Sequence, residues 1–296
     1  MKLLVVLNTE GKINDNYYLI DGMTMGMPNF LAVYIIENNG KRLMIDVGET
    51  VKSRKIIRKL KDLNLLPIDI IVLTHSHWDH AQGIKKMYES MDNPNLEIYA
   101  SENAIENIKH PENMIDGFED MSELYPYEGV KPLNEGDFID LNGLKLKVIN
   151  LFGHTMDSIG LYDEKNRTLF VGDALLERLD TDAFFVPLMP PDFHEDELLK
   201  TFDKLRDMRN DFDAVGLAHF GIWKGEHCSQ ILEEMEGTYL NVKNSLIVWY
   251  NENPSPDYIT SEYVKKFMPN SKFWNERIFL FLVKMMISGL RTSGYI

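Results

Sequence analysis

The stretch Thr74-His75-Ser76-His77-Trp78-Asp79-His80 holds four side chains that can bind a metal, and it directly follows the apolar run at residues 68–73. The apolar run is typical of a buried strand, so the polar cluster comes where a strand ends. Residues two apart on an extended segment share a face, which lets His75 and His77 point the same way, and a turn can direct Asp79 and His80 to a second point. The stretch therefore predicts a strand that ends in two adjacent metal positions.

The density of histidines separates this interpretation from an ordinary polar strand end. Five of the eight histidines fall in motifs that fit one scheme: His75, His77, His80, His154 and His219. Buried imidazoles and carboxylates cost several kcal/mol unless a charge compensates them, so such a cluster calls for a cation. His110, His194 and His227 are interpreted as lying outside the site.

Composition and charge limit the classes of function. The chain has 296 residues, 44% hydrophobic and 26% charged, which is ordinary for a soluble globular protein. Its net charge of −15, from 31 Lys+Arg against 46 Asp+Glu, repels polyanions, so nucleic acid is not expected as a partner. The single cysteine, Cys228, excludes an intrachain disulfide and a cysteine-rich zinc site, and it fits a reducing cytoplasm.

Two apolar runs are candidates for a membrane or export segment. The N-terminal run ends at Asn8 without a small-residue cleavage site, which favours a first strand over a signal peptide. The run at residues 278–283 is broken by Lys284, well short of the ~20 residues that a membrane span needs. No association with a membrane is expected.

Strand and helix patterns alternate through most of the chain. Aromatic and β-branched runs at residues 16–21, 30–37 and 41–47 predict an antiparallel meander, and residues 53–63 predict an amphipathic helix. Later strands are expected to end at Gly153-His154-Thr155 and at Gly172-Asp173.

The alternation is expected to close with a last strand at residues 214–218, followed by His219. From residue 225 the pattern is helical, which divides the chain into a domain at 1–224 and a helical extension at 225–296. The extension is a candidate lid or oligomerisation element and would suit a homodimer.

The ordered set of motifs Thr74-His75-Ser76-His77-Trp78-Asp79-His80, Gly153-His154-Thr155, Gly172-Asp173 and Ala218-His219 resembles the metallo-β-lactamase-fold superfamily over about the first three quarters of the chain. The order and the strand-end placement of the motifs carry the resemblance, because any single motif would be weak. The resemblance implies an α/β fold, a four-layer αββα sandwich of two mixed β-sheets with helices outside. It also implies a dinuclear metal site at one end of the sheets.

The resemblance also assigns metal ligands residue by residue. One ion would be held by His75, His77 and His154 and the other by Asp79, His80 and His219, with Asp173 bridging the two. Imidazoles and carboxylates without a thiolate suit a divalent ion, with Zn²⁺ as the default and Fe or Mn as alternatives. Diiron redox relatives of this fold usually carry a glutamate at the position of His77, which favours the hydrolytic branch.

A dinuclear site removes the need for a serine or cysteine nucleophile, because two ions lower the pKa of a bridging water from about 15.7 toward ~7. The expected protein is a metal-dependent hydrolase whose bridging hydroxide attacks a carbonyl of an ester, thioester or lactone. Asp79 would orient this nucleophile and move its proton. Asp46 and Thr155 are expected to fix the orientation of the ligands. The alternative for Asp46 is a simple turn residue.

Two loops are candidates for contact with a small-molecule substrate. Met23, Met25 and Met27 lie between glycines and a proline, which predicts a soft apolar flap, and the alternative is packing on the sheet edge. Phe184 and Phe185 follow Asp173 and predict the mouth of an apolar pocket for an acyl or lactone substrate. The alternative is that this pair seats the helical extension.

Within the superfamily the sequence narrows the choice of substrate and reaction only in part. Glyoxalase-II-like thioesterases grip an anionic glutathione moiety with basic residues, which are scattered here, and many lactonases carry a tyrosine where this chain has Leu176. β-Lactamase activity is not expected, because relatives with that activity usually lack the histidine found at position 80. A phosphodiester hydrolase, which the net charge disfavours, and a catalytically weak metal-containing binding protein stay as alternatives.

Overall fold

The computed structural model describes residues 5–91, 93–115, 124–179, 183–271 and 273–296. Most of the acidic segment at 114–127, to which the sequence assigns no role, lies outside these residues, as do residues 180–182 of the loop that precedes Phe184. The strands and helices below are those of the described residues.

The described strands form two mixed sheets of seven strands each and one two-stranded hairpin. In chain order they are β1 (Val5–Leu7), β2 (Gly11–Lys12), β3 (Tyr17–Asp21), β4 (Ala32–Asn38), β5 (Lys41–Ile45), β6 (Ile70–Val72), β7 (Glu97–Ser101), β8 (Val130–Leu133), β9 (Phe138–Leu141), β10 (Leu144–Asn150), β11 (Ile159–Asp163), β12 (Thr168–Gly172), β13 (Glu177–Arg178), β14 (Phe184–Phe185), β15 (Ala214–Leu217) and β16 (Gly221–Lys224). The first sheet has the order β2-β3-β4-β5-β6-β7-β8 and the second β1-β16-β15-β12-β11-β10-β9, while β13 pairs with β14.

The α-helices lie outside the sheets. They are α1 (Ser53–Asp62), α2 (Trp78–Ala81), α3 (Ile84–Ser90), α4 (Ile105–Lys109), α5 (Glu195–Asp207), α6 (Glu226–Glu252), α7 (Pro256–Phe267) and α8 (Glu276–Thr292). Short 3₁₀ turns occur at Thr24–Gly26, Thr50–Lys52, Glu102–Ala104 and Pro111–Met114. None of the helices in the described residues combines the length and apolar character that crossing a bilayer requires.

The alternation of side chains along β4 explains the layering. Tyr34 and Ile36 point into the core between the two sheets, where residues of β10, β11 and β12 also pack. Val33 and Ile35 point the opposite way, into a core that the first sheet shares with α1, α3 and α4. A strand with both faces buried separates two apolar layers, so the first sheet is covered by helices on its outer side.

The outer face of the second sheet is covered by α5 and by the helical extension together. Phe202 of α5 and Tyr239 of α6 have ring centroids 6.2 Å apart, and both belong to one apolar cluster with Phe279 of α8. The architecture is therefore the predicted αββα sandwich, and the fold class is confirmed. The last strand of the domain ends at Lys224 and α6 begins at Glu226, yet the core is continuous across this point.

The prediction of the last strand of the second sheet was wrong. Residues 214–218 are not the last strand, because β16 follows β15 after a turn at residues 218–220 and lies between β15 and β1 in the second sheet. β16 has only four residues and no alternation of its own. Its strand conformation comes from antiparallel pairing on both sides, which a local pattern does not reveal.

Gly153, the residue before His154, is expected to tolerate no side chain. Its φ is +129°, and an added Cβ would lie 2.3 Å from the Leu198 backbone of α5. We expect Gly153→Ala to lower the free energy of unfolding by about 2–5 kcal/mol, since a left-handed alanine costs about 1–2 kcal/mol and overpacking adds about 1–3 kcal/mol. Urea denaturation followed by circular dichroism measures this loss.

Gly143 provides the matched control for that substitution. Its φ is also positive, at +100°, but an added Cβ there would meet nothing within 4 Å. Gly143→Ala should therefore show only the backbone cost of about 1–2 kcal/mol. Equal losses for the two variants would mean that the close contact between Gly153 and α5 does not constrain the loop.

Candidate metal centre

All seven predicted ligands lie at one end of the sandwich, where strands of both sheets end. The loop after β6 carries His75 and His77, and the short helix α2 that follows carries Asp79 and His80. The second sheet contributes one residue after each of three strands, β10, β12 and β15: His154, Asp173 and His219. Six of the seven are buried, and Asp79 is half-buried.

Backbone hydrogen bonds join the two sheets beside these residues. The amide of Ile159 donates to the carbonyl of Thr74 at 2.8 Å, and the amide of Ala32 donates to the carbonyl of Ala218 at 2.7 Å. Thr74 and Ala218 each directly precede a predicted ligand in the sequence. The ligand loops of the two sheets are therefore held against each other by the main chain.

Three imidazoles form the first candidate metal position. His77 Nδ1 lies 3.1 Å from His75 Nε2 and 2.9 Å from His154 Nε2. A single N–H can satisfy only one of these contacts, so at least one lone pair faces its neighbours without a proton. Nitrogens about 2.1 Å from a tetrahedral zinc ion would lie about 3.4 Å apart, close to the spacing found here. The group can hold a divalent cation.

Two imidazoles and a carboxylate form the second candidate position. Asp79 Oδ2 lies 3.7 Å from His80 Nε2 and 3.8 Å from His219 Nε2. The ligand atoms of these three residues all lie within 4.8 Å of one another. This group has one negative charge and two imidazole nitrogens, a donor set that suits zinc or another first-row divalent ion.

Asp173 lies between the two positions. Its Oδ2 is 3.5 Å from His154 Nε2 in the first group, and it is 3.5 Å from His80 Nε2 and 3.3 Å from His219 Nε2 in the second. Its other oxygen, Oδ1, has no hydrogen-bond partner among the described residues although it is buried. A buried carboxylate oxygen without a donor is costly, so Asp173 fits the position of a bridging ligand.

The protonation of the cluster follows from burial and from the two carboxylates. Burial lowers the pKa of His75, His77 and His154 below the ordinary value, so these imidazoles are neutral. Burial acts the same way on His80 and His219, but Asp173 and Asp79 outweigh it and raise the pKa of both imidazoles.

Hydrogen bonds at the far side of each ring fix which nitrogen faces the centre. His154 Nδ1 donates to the carbonyl of Pro187 at 3.2 Å, and His219 Nδ1 donates to the carbonyl of Phe30. Because a carbonyl only accepts, Nδ1 carries a proton in both rings, and Nε2 is the nitrogen that faces the centre and binds a cation when it is unprotonated.

Asp46 orients the ligands on the side of β6. Its Oδ2 accepts from His80 Nδ1 at 2.9 Å and from the Thr74 hydroxyl at 2.9 Å, while Oδ1 accepts from the Thr74 amide at 2.8 Å. The Thr74 oxygen lies 3.1 Å from His75 Nδ1 and accepts its proton. The φ of Asp46 is +59°, a left-handed conformation that aspartate tolerates better than most residues. Asp46 is a turn residue and a partner of His80 at once.

Thr155 makes different contacts from those predicted. Its hydroxyl bonds to Asp157 Oδ1 at 2.6 Å and to the Ser158 hydroxyl at 2.7 Å, and the described contacts include none with a ligand imidazole. Asp157 also accepts from Ser76, which lies between His75 and His77 in the sequence. Thr155 therefore acts through Asp157, which joins the His154 loop to the loop after β6.

Two buried acids near the centre were missed by the sequence analysis. Asp157 is one, and its bond to Ser76 spans 81 residues, so no local pattern marks it. Glu177 is the other. Its Oε2 accepts from the His219 amide at 3.1 Å, and burial together with the nearby Asp173 raises the pKa of its carboxyl well above the ordinary value.

A cleft opens over the centre, and its empty space, counted together with the part open to solvent, is about 450 Å³. Its polar lining consists of predicted ligands: His77, Asp79, His154, Asp173 and His219. Its other lining residues are Phe30, Trp78, Phe185, Met189, Pro190, Phe281, Leu282 and Met285, of which the last three belong to α8.

Only one of the five predicted substrate contacts, Phe185, lies on this cleft. Phe184 packs instead on the helical extension, with its ring centroid 5.9 Å from that of Phe267. Met27 packs on the edge of the large apolar cluster, and the amide of Met25 donates to Glu49 at 3.1 Å. Met23 and Met25 are half-buried in the 3₁₀ turn and do not line the cleft.

Comparisons with known proteins agree with this geometry. A family model described as the Metallo-beta-lactamase superfamily matches residues 28–217. Hydroxyacylglutathione hydrolase 1 of Vibrio vulnificus is 32% identical over 143 residues, which cover 48% of this chain and 47% of that protein. Atrochrysone carboxyl ACP thioesterase of Aspergillus fumigatus is 24% identical over 181 residues, 59% of this chain and 38% of that protein. The chain thus spans less than half the length of each of these two curated relatives.

A solved structure shares the fold over nearly the whole chain. A metallo-beta-lactamase family protein of Thermus thermophilus superimposes with a TM-score of 0.63 at 18% identity, covering 96% of this chain and 95% of that one. The likeness therefore includes the helical extension. The family model, which matches more than half of the chain, shows that this chain belongs to the metallo-beta-lactamase superfamily.

Proposed function

We propose that this protein is a metal-dependent hydrolase that uses two divalent ions to hydrolyse an ester, a thioester or a lactone. The observation that carries the proposal is Asp173 Oδ2, which lies 3.3–3.5 Å from nitrogens of both ligand groups. One carboxylate shared by two groups fits a dinuclear centre better than a single ion. Two of the similar proteins bear the names of a hydrolase and a thioesterase, which supports the reaction class.

The residues present fit divalent metal ions. Five imidazoles and two carboxylates converge without a thiolate, and Asp173 Oδ1 is buried without a hydrogen-bond partner among the described residues. This donor set favours Zn²⁺, with Fe or Mn as alternatives. When bound, two such ions supply Lewis acidity and make hydroxide available at neutral pH.

Asp79 is the residue best placed to handle protons. It is half-buried, it lines the cleft, and its Oδ2 lies within 3.8 Å of His80 Nε2 and His219 Nε2. A carboxylate at the boundary between the centre and the open cleft can orient a water molecule and accept its proton. The proton would then be delivered to the leaving group, so that alcohol or thiol departs uncharged.

Asp46 contributes by setting the tautomer of His80. As an acceptor only, its carboxylate keeps the proton on His80 Nδ1 and leaves Nε2 free to bind an ion. An amide at this position could present its NH₂ group to Nδ1, which favours the tautomer with the proton on Nε2. Such a ring cannot bind a metal through Nε2.

The proposed reaction predicts that Asp173→Asn abolishes turnover. Asparagine keeps the size of the side chain but removes the charge between the two groups, so we expect hydrolysis to fall at least about a hundredfold. Initial rates on a panel of acyl thioesters, lactones and a bis-aryl phosphodiester, with metal-reconstituted protein, measure the loss. Chelator treatment of the wild type should give a comparable loss that added metal reverses.

Asp163→Asn is the matched control for that experiment. Asp163 is also a buried carboxylate, but it lies at the far end of β11, where it accepts from Tyr17 Oη at 2.6 Å. The variant should lose stability while keeping its rate below its melting temperature. Turnover of the phosphodiester alone would reject the proposed substrate class, and no turnover by fully metallated protein would favour a binding role.

The tautomer argument predicts the effect of Asp46→Asn. We expect the wild type to retain two ions per chain and the variant to bind the ion at the Asp79, His80 and His219 position about 10–100 times more weakly. Asparagine also tolerates the left-handed backbone, so the turn should be kept. Metal analysis after dialysis against a graded series of chelator concentrations measures the difference. An affinity equal to that of the Asp163→Asn variant would remove Asp46 from this role.

A further inference from the structure

The wall of the cleft has two sources. Phe30, Phe185 and Met189 come from the αββα domain, and Phe281, Leu282 and Met285 come from α8 of the extension. All six are apolar, and five of them are more than nine-tenths buried in the protein. Above the polar floor of ligands, the cleft is therefore lined almost entirely by hydrocarbon, sulfur and aromatic rings.

The apolar wall begins directly at the metal centre. The ring of Phe30 lies 4.7 Å from the His219 imidazole, and the ring of Phe185 lies 5.5 Å from it. Behind Phe30, the ring of Trp274 lies 5.9 Å away and holds it in place. A group attached to the reacting carbonyl would thus enter an apolar environment within one or two bonds.

The α8 part of the wall is fixed in position. On its other sides α8 buries Phe279 and Met286 in the large apolar cluster. It also approaches the segment that carries Met189, since a Cβ on Gly289 would lie 2.8 Å from the carbonyl oxygen of Leu188. Phe281 and Met285 both line the cleft and are about one helical turn apart, about 6 Å along the axis of α8.

No lysine or arginine occurs among the described residues that line the cleft. Among the described lining residues, the acidic side chains are Asp79 and Asp173, and both belong to the candidate metal centre. A negative group on the substrate, remote from the reacting carbonyl, would find no partner there and would lose its hydration. An uncharged hydrocarbon group instead gains free energy by leaving water.

From this arrangement we infer that the cleft accepts the acyl half of the substrate as an uncharged, apolar chain, and that Leu282 and Met285 of α8 set the length of chain that fits. The inference rests on the proposed hydrolase function for the role of the chain, because the acid product would carry it. The binding of that chain can nevertheless be measured without turnover.

The test measures binding of straight-chain carboxylic acids with 2 to about 10 carbons to metal-reconstituted protein by isothermal titration calorimetry. We expect the affinity to rise about fourfold per added methylene, and then to stop rising at the length that fills the cleft. Dicarboxylic acids of matched length should bind at least about tenfold more weakly than the monocarboxylic acids. An affinity independent of chain length, or equal binding of the two series, would overturn the inference.

Adjacent methionines of α8 provide a matched pair of variants. Met285 lines the cleft, whereas Met286 is fully buried in the apolar cluster and does not. We call the chain length at which the affinity stops rising the break. Met285→Ala should move the break about two carbons toward longer acids, while Met286→Ala should lower stability and leave the break unchanged. Leu282→Ala tests the same wall if the Met285 variant does not fold. A break that moves equally in the Met285 and Met286 variants would reject the role of α8.

The acids are not substrates, so failures of the two proposals can be told apart. If the affinity depends on chain length but the protein hydrolyses no ester, thioester or lactone, the inference about the apolar cleft stands and the proposed hydrolase function is rejected. If hydrolysis occurs at rates that do not depend on acyl length, and the affinity for the acids does not depend on chain length either, the hydrolase function stands and the inference about the cleft is rejected.

Discussion

The constraint on which this structure depends is a buried cluster in which the lone pairs of imidazoles and carboxylates face one another. Five imidazoles and two carboxylates meet at one end of the sandwich, and the carboxylate of Asp173 is close to both halves of the cluster. Ring hydrogen bonds to the carbonyls of Phe30 and Pro187 direct Nε2 of His219 and of His154 inward. Burial of such groups is costly without an opposing charge, and divalent cations supply that charge in the smallest volume.

The sandwich is arranged so that neither sheet can form the centre alone. The first sheet contributes the loop after β6, and the second contributes His154, Asp173 and His219 from the ends of three strands. Main-chain bonds between Thr74 and Ile159 and between Ala32 and Ala218 set the separation of the sheets at this end. A side-chain carboxylate adds a second connection between these loops, because Asp157 accepts hydrogen bonds from both Ser76 and Thr155. The positions of ligands far apart in sequence are thereby fixed relative to one another.

What could be predicted from the sequence follows from how local each signal is. Single elements could be predicted because β4 is a continuous apolar run and α1 has apolar residues at helical spacing, whereas the layered sandwich was predicted only from the resemblance. Residues 74–80 were readable because they are contiguous, while His154, Asp173 and His219 could be joined to them only through a resemblance. Asp157 and Glu177 were missed because their partners are remote in sequence, and β16 was missed because β1, one of its two partner strands, is also remote. The methionine loop was interpreted from glycine and proline alone, which indicate a loop but not the surface that it covers.

The packing of the extension differs from that of a hinged lid. Its helices share one core with α5, and Glu195 at the start of α5 accepts hydrogen bonds from Tyr239 and Lys243 of α6. Opening such a lid would expose apolar surface that includes Tyr239, Phe279 and Met286, at a cost of about 1.5–3 kcal/mol for each large side chain. A fixed wall incurs no such cost. The candidate metal centre is thus built by the two sheets, while part of the apolar wall above it comes from α8, a helix that begins about 200 residues after the first ligands, so chemistry and selectivity can vary independently.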